Sequence, residues 1–241
     1  MKEKALQKSF LMTGIAVIMV VFLMIIVARP VHAMSSKIQH GSYIYTTVET
    51  RGSYPDYKKK ITIYRQKTGQ TRQKLVSISG KSYLYLKFVY DNYLYFQAGR
   101  EDDPECQDFY SLNLKTKKTK KIVSNVSVRS RYNQYVVLLL DGGDLYPLPC
   151  YVYNAKTRKA KKISDNCIKA VISAGRIYYA ETAAKNYEVK QNGWKTRIYS
   201  CSLSGKDKKA KSGYFISSGC EQLTSKYVKY YRNGKYYKYT F

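Results

Sequence analysis

Beyond residue 33 the chain runs in short apolar stretches closed by Gly, Asn or Asp, and no window carries a helical period or a capping box. SYIYTTV (42–48), NYLYFQA (92–98), QYVVLLL (134–140) and GRIYYAE (175–181) are rich in Tyr and β-branched residues, which predicts half-buried strands. Each is followed by a second Tyr-containing run, a turn and a basic return. These read ITIYRQKTGQTRQKLV (61–76), FYSLNLKTKKTKKIV (109–123), CYVYNAKTRKAKKIS (150–164) and RIYSCSLSGKDKKAK (197–211). A further short run precedes three of them: YLYLKFV (83–89), VSVRS (126–130) and IKAVIS (168–173), with turns expected at Asp91-Asn92, Tyr132-Asn133 and Ala174-Gly175.

The hairpins recur. Aligning Thr68, Thr116, Thr157 and Ser204 gives spacings of 48, 41 and 47 residues. Four antiparallel strands at that period match a propeller blade, whose repeats run roughly 40–50 residues. The expected fold is therefore all-β and β-propeller-like, with about five short four-stranded blades in one domain, residues 34–241. The last unit holds Tyr227–Tyr231, a turn at Asn233-Gly234 and Lys235–Thr240. It is left incomplete or is closed by an N-terminal strand at residues 34–39. An open or irregular stack of the same hairpins is the alternative.

Residues 1–33 have a different pattern. Lys2, Lys4 and Lys8 precede an apolar run from Leu11 to Ala28, and Arg29-Pro30-Val31-His32-Ala33 follows. That order is the signature of a secretory signal peptide cut near Ala33. The run at residues 11–28 is also long enough to span a bilayer as an uncleaved anchor. Either outcome places the remainder outside the cytoplasm, secreted or tied to the cell membrane. Five cysteines follow, Cys106, Cys150, Cys167, Cys201 and Cys220, with no CxxC spacing, which argues against a zinc ribbon or a thioredoxin-like pair. They read mainly as small buried strand residues, although a Cys106–Cys150 bridge between neighbouring repeats is also conceivable.

One unit carries a resemblance. Gly175-Arg176-Ile177-Tyr178-Tyr179, then Arg197-Ile198-Tyr199 and Leu203-Ser204-Gly205-Lys206, resembles the tandem repeats of bacterial exported β-propeller-like domains of unknown function. Those domains are relatives of the low-density-lipoprotein-receptor-type propeller, found mostly in Gram-positive anaerobes. The likeness spans residues 41–241 and is best in 168–212, while Lys117 and Arg158 replace the turn glycine in earlier units. It implies an exported, non-catalytic scaffold and supplies no functional residues.

Composition adds charge. The chain has 43 Lys+Arg against 16 Asp+Glu, a net +27. Residues 1–33 hold four cations and one anion, so the remainder stays at +24, and a field of that sign attracts polyanions. The cations recur in place: Lys117, Lys118, Lys120 and Lys121, then Arg158, Lys159, Lys161 and Lys162, then Lys206, Lys208, Lys209 and Lys211. They read either as protection of outer sheet edges or as a polyanion-binding belt. The expected partner is an anionic cell-wall polymer or a membrane surface, with a glycan as a further candidate and nucleic acid disfavoured in an exported protein.

Catalytic motifs are missing from the sequence: there is no HExxH, GxSxG, GxxxxGK followed by Ser or Thr, or GxGxxG opening a helix. His40 is the only imidazole after residue 33. Glu101-Asp102-Asp103-Pro104-Glu105 offers oxygens of the kind a hard cation takes, but it lacks EF-hand spacing and reads as a solvated loop. Asp141-Gly142-Gly143-Asp144 reads the same way. Trp194 and Tyr187 are the residues to test first as a sugar platform. No metal or cofactor is expected. The functional expectation is a non-catalytic binding or structural module of the bacterial cell envelope, held by anionic polymers or headgroups. The competing expectation is a carbohydrate-active enzyme with carboxylates gathered on one propeller face.

Overall fold

The computed structural model describes residues 36–51, 59–103, 106–140, 147–183 and 193–241, which belong to the compact unit Ser36–Phe241. Residues 1–33, expected to be a signal peptide or membrane anchor, and Pro104, Glu105, Asp141–Asp144 and Tyr187 lie outside the described residues. Among the described residues every regular element is a strand, and no helix is long and apolar enough to cross a membrane.

The first sheet holds β1 (Lys37–His40), β2 (Tyr43–Arg51), β3 (Lys59–Lys67) and β4 (Gln73–Ser79) in chain order. The second repeats the plan with β5 (Lys81–Tyr90), β6 (Tyr93–Arg100), β7 (Gln107–Asn113) and β8 (Thr119–Val123). A longer sheet then runs through β9 (Val126–Tyr132), β10 (Tyr135–Leu140), β11 (Leu148–Asn154), β12 (Lys159–Ser173), β13 (Arg176–Thr182), β14 (Trp194–Cys201) and β15 (Lys209–Ala210). A short strand, β16 (Phe215–Ser217), also pairs with β14. The chain finishes with β17 (Gly219–Leu223), β18 (Tyr227–Arg232) and β19 (Lys235–Thr240) in a three-stranded sheet. All pairings are antiparallel, so the fold is all-β and propeller-like, built from four-stranded units with an incomplete fifth.

Two-residue turns set the register of each unit's inner hairpin. Tyr90 pairs with Tyr93, Ser173 with Arg176 and Arg232 with Lys235. The first turn residues Asp91, Ala174 and Asn233 have φ of 49°, 47° and 47°, as turns that match strand twist demand. The third unit's turn sits one residue later than its sequence suggests, on Asn133 and Gln134, because Tyr132 pairs with Tyr135 and Asn133 takes the positive φ.

Of the two endings expected for the last unit, the incomplete one is found: among the described residues Lys37–His40 folds back through Gly41 (φ 56°) and pairs with β2, from Lys37↔Thr46 to His40↔Tyr43. The third and fourth units share one sheet. β12 runs 15 residues without interruption. Its first part pairs with β11 and its second, from Cys167, with β13. Ser164-Asp165-Asn166-Cys167 contains no Gly or Pro to break the strand, and register shifts opposite Leu148 and Cys150 absorb the bend.

The core consists of layers between neighbouring units. Tyr45, Ile61 and Ile63 of the first sheet meet Leu84, Leu86 and Phe96 of the second. Phe88, Tyr95 and Phe109 meet Val136, Leu138 and Tyr153 of the third unit. Tyr178 and Ile198 meet Leu223 and Val228 of the fifth. Fully burying each such side chain stabilises by about 1.5–3 kcal/mol. Cys150, Cys167 and Cys201 are buried in the layer around Val152 and Ile177. All five cysteines are free thiols, so the Cys106–Cys150 bridge is not formed.

Candidate functional site

The outer turns of the second and third units are built alike. Asn113 Oδ1 accepts the backbone N–H groups of Lys115 (2.9 Å) and Thr116 (3.0 Å). Asn154 Oδ1 accepts those of Lys156 (2.9 Å) and Thr157 (3.3 Å). In each turn the next residue closes on the Asn carbonyl, Lys117 N–H at 2.8 Å and Arg158 N–H at 2.7 Å. Lys117 and Arg158 both sit at φ 57°, where a glycine would be at ease. The repeated Asn-x-Lys-Thr-basic sequence at 113–117 and 154–158 is the signal for this geometry. The fourth unit departs from it: Ser202 Oγ accepts from Lys206 N–H (3.0 Å), and Gly205 takes φ 69°.

Packing brings these two turns together. Tyr93, at the start of β6, lies between them, and its hydroxyl accepts Asn113 Nδ2–H at 3.2 Å and Arg158 Nη1–H at 2.8 Å. Below it Tyr95 stacks on Phe88 and meets Tyr153 edge-on, with ring centres 4.6 and 5.8 Å apart. Burial raises the hydroxyl pKa of Tyr95 and Tyr153, so both stay protonated.

Between the turns opens a cleft of about 450 Å³. Its cations are Lys118, Lys120, Lys121, Arg158 and Lys159, all on exposed residues, and Tyr93 and Tyr153 contribute aromatic surface. Asn113, Thr116 and Thr157 add hydrogen-bonding groups, and no Asp, Glu, His or Cys lines it. Lys121 is held back, with its Nζ 3.6 Å from Asp108 Oδ2. Asp108 is buried, which pushes its carboxyl up, but the Asn125 N–H, the Tyr110 hydroxyl, Lys121 and Lys81 outweigh burial and hold it below the usual range. Lys118, Lys120 and Lys159 thus form the cationic wall that other described groups occupy least.

The remaining cations of the expected belt diverge. Lys161 donates to the Gly205 carbonyl at 2.7 Å and borders a smaller cleft of about 200 Å³ toward Leu203 and Ser204. Lys162 pairs with Asp165 (2.6 Å) and Lys208 with Glu181 (2.9 Å). Lys117, Lys206, Lys209 and Lys211 border neither cleft.

Other candidates resolve differently. Trp194 is buried in β14 at 4 % exposure, so it offers no open sugar platform. Asp102 and Asp103 face Arg100 at 4.0 and 3.1 Å. Among the described residues no group of three or more His, Cys, Asp or Glu could hold a metal. Glu49, Asp108, Asp165, Glu181 and Glu221 each face a cation. His40 is exposed at the end of β1.

No family profile matches the chain. No curated protein matches its sequence. Solved structures similar to it include the β-propeller domain of the Trilobed protease from Pyrococcus furiosus: TM-score 0.49, 9 % identity, 86 % of this chain and 68 % of that one. A prolyl endopeptidase matches at TM-score 0.46 and 12 % identity over 79 % of this chain and 29 % of that one. The acylaminoacyl peptidase of Pyrococcus horikoshii matches at TM-score 0.45 and 10 % identity over 85 % and 37 %. The chain thus spans little more than a third, or less, of these last two peptidases. At such identities the likeness concerns fold alone. Where a purely non-catalytic cell-envelope module held by anionic polymers is expected, the similar structures are a protease's propeller domain and peptidases, and that expectation is corrected to a domain of propeller fold.

Proposed function

We propose that this chain is a propeller-type recognition domain whose cleft between the second and third units holds an acidic stretch of a polypeptide. The observation that carries this is the convergence of Lys118, Lys120, Arg158 and Lys159, from two successive units, on one concave surface lined by no carboxylate. Two identical Asn-capped turns fix the cationic rim, and Tyr93 fixes their separation. Rigid placement of several cations favours a ligand whose carboxylates recur at short intervals, and partial enclosure by low-dielectric walls strengthens each pairing relative to open water. No carboxylate, imidazole or thiol lines the cleft, and this reading assigns it to binding rather than to chemistry.

The wider setting is also a proposal. Export is supported by the order of Lys2, Lys4, Lys8, the apolar run and Ala33. Kinship with the exported low-density-lipoprotein-receptor-type relatives rests on the motifs at 175–179 and 203–206.

Fluorescence anisotropy of a labelled hexaglutamate peptide tests the cleft. Binding is expected to weaken as salt rises, and to fall about tenfold or more when Lys118, Lys120 and Lys159 are changed to Ser, each lost pairing being worth about 1 kcal/mol. A matched variant with Lys206, Lys209 and Lys211 changed to Ser loses the same charge outside the cleft and is expected to bind as before. Equal losses in both variants, or no loss in either, would overturn the assignment.

A further inference from the structure

Among the described residues the fifth sheet has three strands, and none of them pairs with the outer edge of β19. In the first two units the third strands β3 and β7 are covered by β4 and β8. Those outer strands end the sheets with Gln73-Lys74 and Thr119-Lys120-Lys121, short charged edges of the kind that discourage further pairing. β19 reads Lys-Tyr-Tyr-Lys-Tyr-Thr. It has the Tyr content of a third strand and, among the described residues, no fourth strand beside it.

Register settles which backbone groups face outward. Arg232 pairs with Lys235, Tyr230 with Tyr237 and Val228 with Tyr239, and Phe241 N–H reaches the Lys226 carbonyl at 3.0 Å. Antiparallel strands alternate inward and outward hydrogen bonding. Lys235, Tyr237, Tyr239 and Phe241 therefore bond toward β18, while Tyr236, Lys238 and Thr240 point their N–H and C=O groups away from the sheet.

The surroundings specify a partner. Tyr231 and Tyr236 are 40 % and 59 % exposed with ring centres 5.2 Å apart, on the face that carries the Lys238 side chain. Lys229 Nζ lies 4.9 Å from the Tyr236 ring, and Lys238 Nζ lies 4.4 Å from that of Tyr227. Glu221 pairs with Lys229 at 2.9 Å, while Arg232, Lys235 and Lys238 add further positive charge along this hairpin. Two copies of such an edge would set like charges against each other, which disfavours self-pairing. An acidic strand would not meet that repulsion.

We propose that β19 accepts an added strand, an extended segment of a partner polypeptide with carboxylates at alternate positions, which becomes the fourth strand of the fifth sheet. Backbone pairing with Tyr236, Lys238 and Thr240 supplies attachment. Lys238 selects the acidic side chains, which alternation gathers on its face, and the half-exposed Tyr237 on the opposite face covers the apolar ones. The edge uses none of the cleft residues, so either site can fail without the other.

Residue-resolved hydrogen exchange on the full chain, with and without an alternating Glu–Val peptide, tests the edge. In the free protein the amides of Tyr236, Lys238 and Thr240 are expected to exchange fast, and those of Tyr237 and Tyr239 slowly. Peptide should slow the first group by about tenfold or more and leave the second unchanged. Lys238→Pro removes an outward N–H that β18 does not use, and is expected to abolish the slowing, whereas Lys238→Ala keeps that N–H and loses only the charge, and is expected to weaken the slowing without abolishing it. A peptide N-methylated at alternate amides gives the same reading without altering the chain, should the proline variant misfold. The proposal is overturned if peptide leaves the three amides fast, if the N-methylated peptide protects them equally, or if they become protected with rising protein concentration alone.

Discussion

The Arg158 guanidinium donates to the Tyr93 hydroxyl at 2.8 Å across 65 positions of sequence, and this single contact ties the outer turn of one unit to the inner hairpin of the unit before it. Asn113 reaches the same oxygen from the other side. The hydroxyl therefore acts as a spacer that sets how far apart the two basic turns stand.

Tyr93→Phe keeps the ring and removes the shared acceptor. Two hydrogen bonds are lost, each worth about 0.5–1.5 kcal/mol net and toward the low end in this partly exposed position. Urea unfolding should show a lower midpoint with an unchanged slope, together with weaker hexaglutamate binding. Unaltered binding would mean that the hydroxyl does not set the cleft width.

Asn113→Ala and Asn154→Ala each deprive two backbone N–H groups of their acceptor. A loss of about 1–2 kcal/mol is expected for each, and Asp at either position should restore most of it, since its carboxylate oxygen can take the same two donors. Thermal unfolding of the two single variants and the double variant checks this.

Lys117→Gly should stabilise. A side chain at positive φ costs roughly 1–2 kcal/mol, partly offset by the greater freedom of glycine in the unfolded chain. The net gain of up to about 1 kcal/mol corresponds to a rise of roughly 2–4 °C in Tm for a chain of this size. An unchanged or lower Tm would refute the strain argument.

Asp108 and Tyr110 predict opposite ends of the pH profile. The carboxyl is held below its unfolded value, so its contribution is full above about pH 4 and is lost as pH falls through the folded pKa. The Tyr110 hydroxyl is pushed up to about 12, by burial first and then by Asp108. Its contribution is complete below about pH 10 and disappears as pH rises toward 12. Asp108→Asn should flatten the acid limb of stability against pH and weaken the alkaline one. A profile identical to the parent would show that the Asp108 cluster carries no linkage.

Strand positions and most turns were legible because local chemistry decides them. Asp91, Asn92, Ala174 and Gly175 turn the chain where alternation stops, and Gly41 makes a local hairpin that outcompetes a distant pairing for residues 37–40. The continuity of β12 was not legible, since Ser164–Cys167 is polar and reads as a connection between two units. Four basic residues in each of three repeats look equivalent in the sequence. Which of them share a cleft depends on acids elsewhere, such as Glu181, which takes Lys208, and Asp165, which takes Lys162. Tyr93 looked like any strand tyrosine, because its partner Arg158 is remote along the chain.

The uninterrupted β12 also limits how this molecule can be divided. One ribbon of backbone closes the third unit and opens the fourth, so neither can melt, be excised or be duplicated without carrying the other. Fragments split near Ser124 and Asn125 keep whole units on both sides and should reassociate. A break within 159–173 dismantles two at once.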